Sequence, residues 1–282
     1  ATTVIMEQGA VIDASATDNG DGGTVVLWSE VGDPESVTTT RGELVARGGA
    51  LGGNGGWIET SGRRIDVAGA TVDAAAGQGE GGLWLIDPAD LTIDQATADT
   101  YETTLNAGTD LTIDTDGRIE FQVVSISSAI GGDGEATLTL IADQIAAVAE
   151  TDPDVYTIEA TTGKLNVVLI TNKDSAAYNG GSTQADDQNI GVGYIRTNGG
   201  GLWIGGGDAA TVDWVPYEGA APIPVGAWNA TTGRQTAIEI LGNIETSGGN
   251  IEFVTEAGDG ATTHTDIAAV HADRTIDAGS GN

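Results

Sequence analysis

The sequence predicts an all-β chain, a right-handed parallel β-helix (solenoid) with loop insertions, and three observations carry that expectation. First, Gly-Gly pairs launch short apolar runs three times between Gly22 and Asp87: Gly22-Gly23 before Val25-Val26-Leu27-Trp28, Gly55-Gly56 before Trp57-Ile58, and Gly81-Gly82 before Leu83-Trp84-Leu85-Ile86. Glycine reaches backbone angles closed to other residues, so each pair reads as a tight corner ahead of a strand. Second, a phrase of one apolar residue, one charged residue and small residues recurs six times, at Ile12-Asp13, Ile58-Glu59, Val72-Asp73, Ile195-Arg196, Ile244-Glu245 and Ile276-Asp277. Recurrence of one supersecondary phrase is the mark of a repeat architecture. Third, 39% of the 282 residues are hydrophobic, yet only two are Phe and one is Met, so the core must use small and β-branched side chains. Crossovers between parallel strands are right-handed in nearly all cases, which gives the expected hand.

Taken in order, residues 1–93 are dense in the phrase and read as short strands joined by Gly corners. Thr97 to Asn106 lacks alternation and runs into Ala107-Gly108, so it reads as a short helix with a glycine stop, expected on the outside of the solenoid. Leu111–Asp114, Ile119–Val123 and Ala136–Ile141 alternate like half-buried strands. Gln144–Glu150 is rich in alanine but flanked by strands, and is assigned as strand; Leu165–Thr171 is another. Two segments leave the ladder: residues 172–189, which are polar, and residues 209–235, which hold Pro216, Pro222 and Pro224, three of the six prolines. The whole chain, 1–282, is thus one continuous solenoid with two insertions. With turns of roughly 20–25 residues, about 12 would stack into a rod of about 60 Å.

Forty-two acidic residues against ten basic ones give a net charge of −32. Such a chain repels nucleic acid and anionic membranes, so neither is an expected partner, and its self-repulsion calls for salt or bound cations. Cysteine is absent, so packing and backbone pairing alone must hold the fold. No apolar run of 18 residues or more exists, and no signal peptide is visible at Ala1. The chain closes inside a repeat phrase, and the expectation is a segment of a longer or processed protein.

These residues resemble the exoproteins of two-partner secretion, the filamentous-haemagglutinin-like bacterial adhesins. The likeness rests on GGTVVLWSE, on ARGGALGGNGGWIETSG, on VDAAAGQGEGG and on Leu83-Trp84-Leu85-Ile86-Asp87-Pro88 followed by Leu91-Thr92-Ile93. Leu105-Asn106-Ala107-Gly108-Thr109, IETSGGNIEF and TIDAGSGN extend it over most of the chain. The resemblance implies a parallel β-helix exported through an outer-membrane pore partner, located outside the cell or on its surface, and used for adhesion or biofilm. On this resemblance the family's N-terminal secretion domain is expected to lie outside these residues, and the acidic excess is stronger than the family requires.

Three classes of site follow from residue types. Calcium is the one cofactor the acidic turns could take, none being required: Asp114-Thr115-Asp116-Gly117 starts an oxygen-rich loop, and Asp133 sits in a Gly-rich turn that approaches a calcium nonapeptide, with Ala136 where that pattern wants Asp. Against this stands the plain reading of solvated acidic turns. Glycan contact is the second class, on Trp203 with Trp214, Tyr217 and Trp228 of the 209–235 insertion. The competing reading turns Trp203 inward and has the loop aromatics pin the insertion to the rod. Catalysis is the third. Parallel β-helices host polysaccharide-degrading enzymes, but His264 and His271 are the only histidines, the basic residues are scattered, and no nucleophile or zinc motif is present. The expected function is therefore non-enzymatic: a secreted rod that contacts a host or neighbouring cell surface, a glycan or matrix. The alternatives are a filament built by end-to-end self-association and a β-helix polysaccharide-degrading enzyme.

Overall fold

Alternation along each strand decides which side chains the rod encloses. Val25 is buried while Val26 and Trp28 on the same strand are exposed; Ile58 is buried between Trp57 and Glu59. The computed structural model describes residues 1–132, 134–142, 144–147, 156–171, 189–206, 237–254, 268–270 and 274–279. Every strand pair in it is parallel, and the molecule is a parallel β-helix with one short helix.

The longest sheet has eight strands: Thr24–Trp28, Trp57–Ser61, Leu83–Asp87, Asp110–Asp114, Glu135–Ala142, Lys164–Thr171, Leu202–Gly206 and Ile251–Val254. One inward column runs through it from Val25 to Ile58, Trp84, Leu111, Leu138, Val167, Leu202 and Ile251. Successive members are 33, 26, 27, 27, 29, 35 and 49 residues apart, so the turns are longer and fewer than the sequence suggested. Seven intervals of about 4.8 Å make the sheet some 34 Å wide instead of 60. The corners and excursions, which periodicity alone undercounts, account for the added length.

The recurring corner-plus-strand phrase predicts Val25, Leu27, Ile58, Leu85, Ile204 and Ile251 as inward residues; of these, Val25, Ile58 and Ile204 are buried, and Leu27 and Ile251 pack against the core. Leu85 does not. It stacks over Glu59 on the outward column, while its neighbours Trp84 and Ile86 are enclosed. Burying Trp84 requires a partner for its indole N–H, and Nε1 donates to Thr60 Oγ1 at 3.2 Å.

The other two sides of the rod change in the stretch between Asp73 and Leu91. Before it they are three-stranded sheets, Thr3–Met6 with Val37–Thr40 and Arg64–Asp66, and Val11–Asp13 with Glu43–Val45 and Thr71–Asp73. After it they are a six-stranded sheet beginning at Leu91–Ile93 and a five-stranded sheet beginning at Ser125–Ala129. The helix Gln95–Asn106 stands between the two, in place of a third-side strand. It therefore lies in the wall and not outside it. Its Ala98, Tyr101 and Leu105 recur at i, i+3 and i+7 and are fully buried in the main core.

An adjacent face of the helix does the work of the missing strand. Gln95 Oε1, Glu102 Oε1 and Asn106 Oδ1 accept from the backbone N–H groups of Ser125, Ser127 and Ala129, every second residue of the neighbouring strand. Asp94 caps the helix by accepting from Thr97 N at 2.8 Å, and Gly108 ends it with φ +84°.

The Gly-Gly corners at residues 22–23, 55–56 and 81–82 work differently from expectation. None has positive φ. They are required by close stacking of one corner on the next: a Cβ on Gly55 would sit 1.7 Å from the Ala74 carbonyl oxygen, and one on Gly56 would sit 2.1 Å from that of Gly23. Gln144–Ala147 is a strand, as assigned, and Asn189 opens the strand Asn189–Val192, one residue inside the expected insertion. The remainder of both insertions, 172–188 and 209–235, lies outside the described residues, as do His264 and His271.

Candidate functional site

Side chains that cannot face the core are presented in straight outward columns, one residue per turn, and any site on a rod must be assembled from them. On the long sheet these columns are Thr24, Trp57, Leu83, then Val26, Glu59, Leu85, Thr112, Thr139, Val168, Trp203, and Trp28 beside Ser61.

Asp114 ends the strand Asp110–Asp114 and Asp116 follows in an exposed turn, which buried Thr115 organises: its hydroxyl donates to the Ala89 carbonyl at 2.6 Å and accepts from Gly117 N at 3.1 Å. Asp133 lies outside the described residues. Among the described residues, no three His, Cys, Asp or Glu side chains are grouped as a metal ion needs.

Trp214, Tyr217 and Trp228 lie outside the described residues. Trp203 faces outward, opposite to the competing reading, because Leu202 and Ile204 take the inward positions on its strand. It is nonetheless only 7% exposed, in a small second cluster with Ile141, Ile170 and Val168. The cavity beside it, lined by Asn166, Gly201, Asn250 and Glu252 among others, has a volume of ≈ 30 Å³. That is the room of a single water and too small for a sugar ring.

Two tryptophans not singled out from the sequence are open instead. Trp28 is 56% exposed and Trp57 40%, on adjacent strands of the same face, with Val26 beside them and Glu59 between. Glu59 Oε1 accepts from Ser61 Oγ at 2.7 Å. The signal was present: placing Val25 and Ile58 inward obliges Val26, Trp28, Trp57 and Glu59 to face out.

Charged groups are distributed and not focused. Asp13, Asp73, Glu245 and Asp277 share one place in the recurring phrase, which predicts acidic ladders, but Asp13 and Asp73 are separated by Val45. Glu245 and Asp277 do stack as expected, but Arg196 precedes them in the column, reaching Glu159 at 3.5 Å and Glu245 at 3.7 Å. Arg41 binds Asp66 through both nitrogens, and this contact holds the Asp66 carboxyl below its ordinary range. Asp110 is the exception. Burial, with Glu135 and Glu80 adding to it, pushes its pKa up to about 6 against a hydrogen bond from Thr137 N at 2.7 Å. Tyr101, wholly enclosed, is raised far above its usual value by the same burial. No helix among the described residues is long and apolar enough to cross a membrane.

No protein-family model matches the chain, and no curated protein matches it.

Proposed function

We propose that this chain is a segment of a secreted, rod-like bacterial adhesin that holds contact surfaces at the cell exterior without catalysing a reaction. The observation that carries it is the eight-stranded parallel ladder, the architecture implied by the resemblance of residues 22–93 to filamentous-haemagglutinin-like exoproteins. In a ladder of this kind each residue's backbone bonds to the turn above and the turn below, so the outward columns keep fixed positions. A net charge of −32 favours solution over association with nucleic acid or anionic lipid. On this reading the parent chain leaves the cell through an outer-membrane pore partner, and its targets are a host or neighbouring cell surface, a glycan or matrix. Fluorescently labelled chain is expected to be retained on intact cells or matrix saturably and to be displaced by unlabelled chain. Retention no greater than that of an acidic control protein of similar size would remove the reading.

A further inference from the structure

We propose that the outward face formed by Trp28, Trp57 and Glu59 binds an uncharged polysaccharide. The proposal deepens the adhesin reading by naming a ligand class and a site. Exposed tryptophans are uncommon where no contact is made, and here two lie on one flat sheet face with Val26, Leu83 and Leu85 completing an apolar surface. Trp57 pairs with Thr24, four residues before Trp28, so the two indoles are set about 14 Å apart by strand rise and spacing. That distance is spanned by a short run of linked sugar rings, whose C–H faces stack on indole.

Glu59 supplies what two rings alone cannot. Its carboxylate lies between them, on the column next to Val26 and Leu85, and the bond from Ser61 Oγ fixes its orientation. A carboxylate accepts hydrogen bonds only, which suits sugar hydroxyls. The charge selects among glycans. No Lys or Arg occupies an outward position on the strands Thr24–Trp28, Trp57–Ser61 or Leu83–Asp87, where the ionisable groups are Glu59 and Asp87. A sulfated or uronic-acid polymer would meet the like charge of Glu59 and Asp87, so the occupant is neutral.

The test is affinity electrophoresis and calorimetry with a soluble β-glucan, a soluble α-glucan, heparin and alginate as probes, with cell retention measured in parallel. At least one neutral glucan is expected to bind and neither anionic polymer to do so. Trp28→Ala and Trp57→Ala should each weaken that binding at least tenfold, Glu59→Gln by less, and Trp57→Phe should restore most of it. Unchanged far-UV circular dichroism shows that the variants fold, as the exposure of both rings leads one to expect. Four results would overturn the proposal: no neutral glucan bound, binding indifferent to both alanine variants, preference for heparin or alginate, or a concentration-dependent dimer that the same variants abolish. Wild-type chain that adheres to cells but binds neither glucan rejects this site and leaves the adhesin reading in place.

Discussion

The pentapeptide Ile-Glu-Thr-Ser-Gly occurs twice, at Ile58–Gly62 and at Ile244–Gly248, and folds in two ways. In the first it lies within the strand Trp57–Ser61, with Thr60 enclosed and accepting from Trp84 Nε1. In the second only Ile244–Glu245 is strand; Thr246 is buried but its hydroxyl donates to the Gly249 carbonyl at 2.5 Å, and Ser247 and Gly248 take φ of +54° and +112°. The residues that follow differ: Arg63-Arg64 in one case, Gly249-Asn250 in the other. So does the neighbouring turn. The second copy stacks on Thr197-Asn198-Gly199, which has the same geometry, with Thr197 Oγ1 donating to the Gly200 carbonyl and Asn198 at φ +51°. Gly199 N also donates to the Thr246 carbonyl at 2.6 Å. In a ladder, the conformation of a repeat is set jointly by its own residues and by the turn it lies on.

Glycine serves the corners in two ways, and this is where the comparison is most easily broken. At Gly55 and Gly56 it makes room for the backbone of the neighbouring turn; at Gly199 and Gly248 it accepts a positive φ. Gly56→Ala should therefore cost at least about 4 kcal/mol, or prevent folding, because its Cβ would meet the Gly23 carbonyl and neither backbone can move alone. Gly199→Ala, whose Cβ would meet nothing nearer than the Lys164 side chain at 3.8 Å, carries the strain of a positive φ, about 1–3 kcal/mol. Chemical denaturation of both variants measures the difference, and equal losses would show that the two corners are alike.

The junction between the halves holds the groups that environment perturbs most. Asp110 has a folded-state pKa of about 6, above the ordinary 3.8. Between those values the folded state holds a proton that the unfolded chain has released, so stability falls as pH rises through this window. The loss amounts to about 3 kcal/mol at 1.36 kcal/mol per pKa unit. Asp110→Asn should remove this pH dependence and leave the variant more stable than wild type at pH 7, as read from urea midpoints at pH 4.5 and 7. Identical pH profiles would show the carboxylate to be well solvated. Below about pH 4, loss of the Arg41–Asp66 contact should lower stability in both proteins, since Asp66 is shifted downward.

Tyr101 sharpens the same point with a smaller effect. Its ring packs edge-on against Trp84, with centroids 6.1 Å apart, while its hydroxyl is buried without a hydrogen-bond partner among the described residues. Tyr101→Phe keeps the packing and removes the orphan group, so a gain of about 1 kcal/mol in unfolding free energy is expected. A loss of that size would mean the hydroxyl is bonded. The smallest effect belongs to Arg196, which is largely exposed: Arg196→Gln should cost about 1 kcal/mol or less, and the cost should shrink in molar sodium chloride.

Much of the fold could be read from pattern. The Gly-bounded apolar runs mark the strands Thr24–Trp28, Trp57–Ser61 and Leu83–Asp87, and alternation assigns Val25 and Ile58 inward. Leu83-Trp84-Leu85-Ile86 resists this reading, because four apolar residues in a row hide the phase; only pairing with Ile58 shows that Trp84 is inside. The helix at Gln95–Asn106 was legible as a helix, but its place in the wall was not, since that depends on which sheet lacks a strand in its turn. Trp28 and Trp57 follow from the same alternation that placed their neighbours. Trp203 was legible as a tryptophan on a strand, yet its burial among Ile141, Ile170 and Val168 rests on contacts from residues 33 to 62 positions earlier in the chain.

The account stands on in-register stacking that continues past the helix, and the absence of cysteine makes that directly measurable. Leu85 and Thr112 are register partners across residues 95–106 and both face outward. The pair Leu85→Cys with Thr112→Cys should close a disulfide readily under mild oxidation, its Cα atoms lying about one strand spacing apart. The pair Leu85→Cys with Asp114→Cys, two residues out of register at about 8 Å, should remain reduced. Equal oxidation of both pairs, or closure of the second alone, would contradict a continuous parallel β-helix.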